Sequence, residues 1–205
     1  MMEKPLLKCT KDNTGIMGLT LSHIGLFIAT GLLLVVVVAL LHSSGWQQTV
    51  ELQSIASSFS SFLEDMDSTF FEHSTSFFFP EKDYPYSVKL STEYIVLSVN
   101  GSQGVSRFIV KQFLTRPWVR SSAQNWTTGA DLHAYLNTTY KHQGTVHDQL
   151  SLENFTDFIQ ERNASASFFA LRPLDINNME PVTIEKVTLY YNATERLDLL
   201  LVYQT

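Results

Sequence analysis

The chain has 205 residues, with 14 Lys+Arg against 20 Asp+Glu and a formal net charge of −6. That acidic balance excludes the basic footprint by which nucleic-acid binders hold phosphate, and argues against anionic lipid as the main ligand. One cysteine, Cys9, excludes an internal disulfide framework.

Residues 1–14 are short, polar and basic and read as a cytoplasmic tail or leader. Ile16 to Leu41 then runs 26 residues without Asp, Glu, Lys or Arg. About 20 apolar residues cross a bilayer core, so 15–42 reads as a transmembrane helix. A cleaved secretory signal has an apolar region of only about 7–15 residues, and Leu40-Leu41-His42 lacks the small-x-small pattern at which such signals are cut. Lys4, Lys8 and Lys11 precede the span, and the next Lys or Arg is Lys82. The positive-inside rule therefore places the N-terminus in the cytoplasm and residues 43–205 outside the cell membrane. Trp46 falls where an interfacial aromatic belongs. Gly18, Ser22, Gly25 and Ala29 share one helix face, and small residues at this spacing let transmembrane helices approach closely. His23 reads as a neutral histidine bonded to a backbone carbonyl or a neighbouring helix.

Setting aside Lys4, Lys8, Lys11, Glu3 and Asp12, the exterior keeps 11 Lys+Arg and 18 Asp+Glu, a net charge of −7. It has no disulfide although its compartment permits one, which leans towards a prokaryotic surface. Cys9 lies in the tail and reads as an ordinary free thiol.

The segment 43–79 reads as a membrane-proximal amphipathic helix. Leu52, Ile55, Phe59, Phe62, Met66 and Phe70 recur at helical spacing, opposite Gln53, Ser57, Ser61, Glu64 and Ser68. Pro80 and Pro85 end the pattern, and 80–205 reads as an extracellular β-rich domain. Tyr86 to Val99 reads as a strand. Asn100-Gly101 opens a turn, and Val105 to Leu114 returns as a second strand, a strong hairpin pattern. Gly129 to Tyr140 and Ser151 to Arg162 read as two short inserted helices, the second with Ser151 as N-cap. Val182 to Tyr191 and Leu197 to Tyr203 read as a C-terminal hairpin. The fold class expected is α+β: a long N-terminal helix, transmembrane then amphipathic, packed on a mainly antiparallel β domain.

Six N-x-[ST] sequons fall in the exterior, at Asn100, Asn125, Asn137, Asn154, Asn163 and Asn192, and read as glycosylation sites of a surface glycoprotein. His133, His142 and His147 with Asp131 and Asp148 lack the spacing of a metal-binding helix and read as solvated loop residues. Glu64, Asp65, Asp67 and Glu72 lack a calcium-loop register and read as a solvated face. No nucleophile elbow, P-loop, dinucleotide fingerprint or zinc motif occurs, so an enzyme is not expected, nor a cofactor.

The order of Lys8, Lys11, Gly15, the apolar run from Ile16, an amphipathic continuation and a small β domain resembles type IV pilin-like proteins, archaeal pilins and archaellins among them. The resemblance implies cleavage by a membrane peptidase at Gly15–Ile16 and bundling of the apolar helices in a filament core. Three residues separate Lys11 from Gly15, and the fifth residue after the cut is Thr20 rather than the Glu of bacterial pilins. The functional expectation is a single-pass, membrane-anchored structural or interaction protein, a filament subunit or pseudopilin self-associating through its N-terminal helix. The alternative is a signal-anchored binding module for a surface ligand or partner protein, with Trp118, Trp126, Tyr135 and Tyr140 as its recognition surface.

Overall fold

The computed structural model describes residues 14–41, 44–100, 106–121, 124–192 and 195–204. They fall into two compact units, Met1–Gln47 and Gln48–Thr205. The tail expected over 1–14 lies outside the described residues except for Thr14.

The first unit contains α1 (Thr14–Leu41), a helix of 28 residues. Every side chain described in it, His23 to Ala39, is exposed, including Phe27, Leu33 and Val35. A helix apolar on all sides has no polar face to give to water. Thr30 Oγ1 donates to the Leu26 and Phe27 carbonyls at 2.8 and 3.1 Å, so its hydroxyl is satisfied within the helix. Among the described residues, no helix is long and apolar enough to cross a membrane. In α1 the described side chains cover only residues 23–39.

The second unit is α+β and mainly antiparallel. Helix α2 (Ser44–Ser68) supplies most of its length to this unit. Leu52, Ile55, Phe59 and Met66 are buried as the apolar stripe requires, and Ala56 and Leu63 join them. Full burial of a Phe or Leu contributes about 1.5–3 kcal/mol each, so this face anchors the helix. The amphipathic helix expected over 43–79 stops at Ser68, and Phe70 lies beyond it, 88% exposed. Ser68 Oγ and Thr69 Oγ1 turn back onto the Asp65 and Met66 carbonyls at 2.7 and 2.8 Å, satisfying acceptors that a last helical turn leaves open. Strand β1 (His73–Phe77) follows, within the stretch expected as helix.

One sheet has the order β1, β7 (Val182–Tyr190), β8 (Arg196–Tyr203), β5 (Trp118–Val119). All its pairings are antiparallel except the short parallel contact of β5 with β8. The second sheet has the order β4 (Ser106–Gln112), β3 (Tyr94–Asn100), β2 (Ser87–Leu90), β6 (Leu174–Ile176), all antiparallel. The single strand expected over Tyr86 to Val99 is two strands. Ser91 breaks it: its N–H donates to the Tyr94 carbonyl at 2.9 Å and its Oγ accepts from Glu93 N at 3.2 Å, which closes a tight reversal. The hairpin of β3 and β4 forms as Asn100-Gly101 predicts, with Asn100 opposite Ser106; residues 101–105 lie outside the described ones. The C-terminal hairpin of β7 and β8 also forms as predicted.

The alternation along β7 and β8 divides the interior in two. Val182, Ile184, Leu200 and Val202 join α2 and the inner residues of the second sheet, among them Val88, Leu90, Ile95 and Leu97. Val187, Leu189, Leu199 and Leu201 point the other way, into a cluster with Leu132, Leu136 and Phe158. Those last three come from α3 (Gly129–Tyr140) and α4 (Leu152–Leu171). Helix α3 has the bounds expected and begins with a reciprocal cap. Asp131 N donates to Thr128 Oγ1 at 3.1 Å, and Thr128 N donates to Asp131 Oδ2 at 3.2 Å. Helix α4 starts after Ser151 as expected but is not short: it continues past Arg162 to Leu171, with Phe158 and Phe169 buried.

Two neighbouring charges on β7 tie helices to the sheet from opposite sides. Lys186 is buried and its Nζ donates to the Asp67 and Thr69 carbonyls at the end of α2, with Asp198 Oδ2 at 3.4 Å. Glu185 Oε2 accepts from Gly129 N, the first residue of α3, and from the Tyr203 hydroxyl, both at 2.9 Å. Cations belong at helix C-termini and anions at N-termini, so each charge faces the helix pole that favours it. Gly129 lets α3 start close to β7: a Cβ there would lie 2.5 Å from Glu185 Oε1 and 2.6 Å from Val187 Cγ2, so one of these side chains would have to shift.

Candidate functional site

The sequence Arg116-Pro117-Trp118-Val119-Arg120 enters the first sheet as β5, with Trp118 opposite Leu201 and Val119 opposite Val202. Arg120 N then donates to the Val202 carbonyl at 2.8 Å. Strand alternation sends Val119 into the α2 core and Trp118 into the α3–α4 cluster. Arg120 is buried there. Its Nε and Nη2 donate to the Trp126 carbonyl at 3.0 and 2.6 Å, and its guanidinium lies 3.4 Å from the centre of the Trp126 ring. Burial pushes its pKa down to about 10, so it remains a cation at neutral pH. A planar guanidinium tolerates this position because it offers a fork to the carbonyl and a face to the ring.

The aromatic stack continues through Trp118, Trp126 and Phe158, with ring centres 5.7, 5.9 and 6.4 Å apart. On α4, Arg162 lies 4.4 Å from the centre of the Trp118 ring. Burial first, and then the like charge of Arg116, push its pKa down. A cavity of about 190 Å³ opens between Trp118, Arg120, Gln124, Trp126, Phe158, Glu161 and Arg162. A second, of about 500 Å³, is lined by Thr92, Glu93, Arg116, Trp118, Arg162, Asn163 and Ser167. Trp118 and Arg162 belong to both, so the two cavities form one cleft along α4. Helix α4 is fixed against the second sheet by Thr92 Oγ1 and the Tyr94 hydroxyl, which donate to the Ala166 and Ala170 carbonyls at 3.2 and 3.1 Å. Flat π faces beside guanidinium cations can hold a planar or anionic group.

The aromatic surface expected at Trp118, Trp126, Tyr135 and Tyr140 is corrected by this arrangement. Both tryptophans are interior, 7% and 5% exposed, because each stacks on an arginine and on the other. Tyr135 and Tyr140 are half-buried, and the Tyr135 hydroxyl donates to Glu161 Oε2 at 2.8 Å. Sequence reasoning did not single out Arg116, Arg120 or Arg162. The signal available was the alternation of basic and bulky residues over 116–120.

The remaining candidates are scattered. Asn125 lines the smaller cavity and Asn163 the larger. Asn137 is exposed on α3, Asn154 is half-buried in the first turn of α4, and Asn192 is exposed in the turn between β7 and β8. Asn100 closes β3, and its side chain lies outside the described ones. Gly25 and Ala29 are exposed on α1. Gly15, Ile16, Gly18 and Ser22 lie on α1 where side chains fall outside those described. His142 Nδ1 sits 2.8 Å from Asp148 Oδ1, and this bond holds the Asp148 carboxyl below its ordinary range. His133 Nδ1 contacts the Gln143 carbonyl at 2.7 Å, and Asp131 caps α3. Among the described residues no group of three or more His, Cys, Asp or Glu could hold a metal ion. In the acidic segment, Glu72 Oε1 accepts from Thr188 N at 2.9 Å and Glu64 Oε1 from the buried Ser60 hydroxyl at 3.1 Å.

Fold and cleft thus define an α+β unit with two four-stranded sheets, one of them covered on both faces. No family model matches the chain, and neither a curated protein nor a solved structure matches it.

Proposed function

We propose that the chain is a single-pass, membrane-anchored surface protein that self-associates through its apolar N-terminal helix, with the unit from Gln48 onward as an extracellular structural and interaction domain of pilin-like architecture. The observation that carries this reading is α1: a helix of 28 residues, apolar without a polar face, whose described side chains are all exposed. Water does not tolerate such a surface, and lipid or sister helices do. The uncharged run Ile16 to Leu41 and the lysines on its N-terminal side support a membrane-crossing orientation with the N-terminus inside. The acidic exterior supports a protein partner over nucleic acid.

Gly25 and Ala29 supply the test. A Cβ added at Gly25 meets no atom of the chain within 4 Å, so Gly25→Leu changes contacts with other molecules and spares the fold. In native membranes, Gly25→Leu with Ala29→Leu reduces crosslinked oligomers while the exterior keeps its protease resistance. A wild type that crosslinks only as a monomer refutes self-association, and a chain that carbonate extracts from membranes refutes the anchor. The mass of the native N-terminus separates the versions of this reading: a chain starting near Ile16 supports the processed pilin, and an intact start supports the permanent anchor. The cleft favours the second reading, a signal-anchored binding module, because it joins stacking faces to cations in a concave site.

A further inference from the structure

We infer that the larger part of the cleft is an oxyanion site, in which Arg116 and Arg162, the latter lying over the Trp118 ring, hold a carboxylate, phosphate or sulfate group. This goes beyond the membrane reading and stands or falls separately from it. Arg116 and Arg162 line the same cavity of about 500 Å³ and repel one another. Among the described residues neither guanidinium forms an ion pair, although the chain carries an excess of acidic residues that could have supplied one. Arg120 is different: its Nε and Nη2 both donate to the Trp126 carbonyl, and it does not line this cavity.

Arg162 is half-buried, its guanidinium lies 4.4 Å from the centre of the Trp118 ring, and a guanidinium carries five N–H donors. Two cations held together at the mouth of a concave site cost free energy that a bound anion recovers, and a guanidinium fork matches an oxyanion in two parallel bonds. Glu93 lines the same cavity, so with Arg116 and Arg162 the local charge is +1 in a protein of net charge −6. Glu161, the neighbour of Arg162, accepts from the Tyr135 hydroxyl and is engaged elsewhere. Thr92 and Ser167 donate their hydroxyl protons to the Ala166 and Asn163 carbonyls, so the charged donors that this cavity offers an anion are the two arginines. The apolar wall from Trp118, Ala166, Ala170 and Leu171 suits an organic body attached to the anionic group.

The test is a titration of the full chain in detergent micelles, at constant ionic strength, with inorganic phosphate, sulfate and benzoate as probes and chloride as the control. Tryptophan fluorescence reports occupancy at Trp118, and calorimetry reports the affinity. Saturable binding of at least one probe is expected. Arg116→Gln, at an exposed residue, weakens it about 10- to 100-fold, the equivalent of one lost charge-assisted hydrogen bond. Arg162→Lys, which keeps the charge and loses the fork, also weakens it. Phosphate or sulfate binding alone identifies a tetrahedral anion as the ligand group, and benzoate binding alone a carboxylate. No saturable binding by the wild type, or variants that both bind as tightly as the wild type, overturns the site. Neither result touches the anchor, which is read by carbonate extraction.

Discussion

Replacing Lys186 by methionine tests how the two helical layers are joined to the sheet. The substitution keeps most of the buried stem and removes the ammonium group. Lost with it are two charge-assisted hydrogen bonds, to the Asp67 and Thr69 carbonyls, and the neighbour of Asp198 at 3.4 Å. A hydrogen bond to a charged group contributes roughly 1.5–3 kcal/mol, so the two together set an upper bound of about 6 kcal/mol. Two effects lower that figure. The end of α2 lies near exposed Asp67 and Ser68, where water can reach a freed carbonyl. Asp198 is also not abandoned, because it keeps the Thr188 hydroxyl at 3.1 Å and Arg196 at 3.7 Å. The expected loss is therefore about 3 kcal/mol, half of that bound. Urea unfolding of wild type and Lys186→Met in the same micelles measures it. A double-mutant cycle with Asp198→Asn should give a coupling below about 1 kcal/mol, since that pair is long and part-exposed. If Lys186→Met lies within about 0.5 kcal/mol of wild type, the ordinary range of an inert surface change, the clamp has no energetic role. If the coupling accounts for the whole loss, the carboxylate rather than the helix end is the partner.

Gly129→Ala should destabilise by about 1–3 kcal/mol, the usual cost of forcing atoms into a packed site, because the new Cβ displaces Glu185 from the start of α3. Thermal unfolding checks this, and a gain in stability from the better helix former would refute the close approach. Acid should weaken the fold through Asp131, whose carboxyl the Thr128 cap holds below its ordinary range. Its contribution is complete above the unfolded value of about 3.9 and is lost as pH falls through the lower folded value. Asp131→Asn should flatten the stability–pH curve below about pH 4, and an unchanged slope would assign acid sensitivity elsewhere.

Local periodicity made much of this fold readable. The stripe Leu52–Met66, helix α3 and the C-terminal hairpin each carry a pattern that needs no distant partner to be recognised. The departures arose where a distant partner decides. His73–Phe77 is a strand because β7 offers an edge to it, and nothing in His-Ser-Thr-Ser-Phe marks that edge. Strand β5 consists of two residues that pair in parallel with the chain's end, a contact without a local signature. Helix α4 continues past Arg162, the end expected from sequence, because Phe169 finds a buried place. The cleft depended on the same kind of event. Trp118 and Trp126 looked like a recognition surface because aromatics in an irregular region usually are. The arginines that bury them stand far apart in sequence and meet only when β5 lies beside α4.

Glu185 and Lys186 are consecutive residues, so a single peptide bond separates the grip on α3 from the grip on α2. Strand β7, which carries both, is paired along five residues with β1 and eight with β8. The covalent chain leaves α2 for the edge strand β1, so the Lys186 contact gives the end of α2 a second hold, on the inner strand beside it. The end of α2 is thereby held through two adjacent strands, and not through its covalent continuation alone.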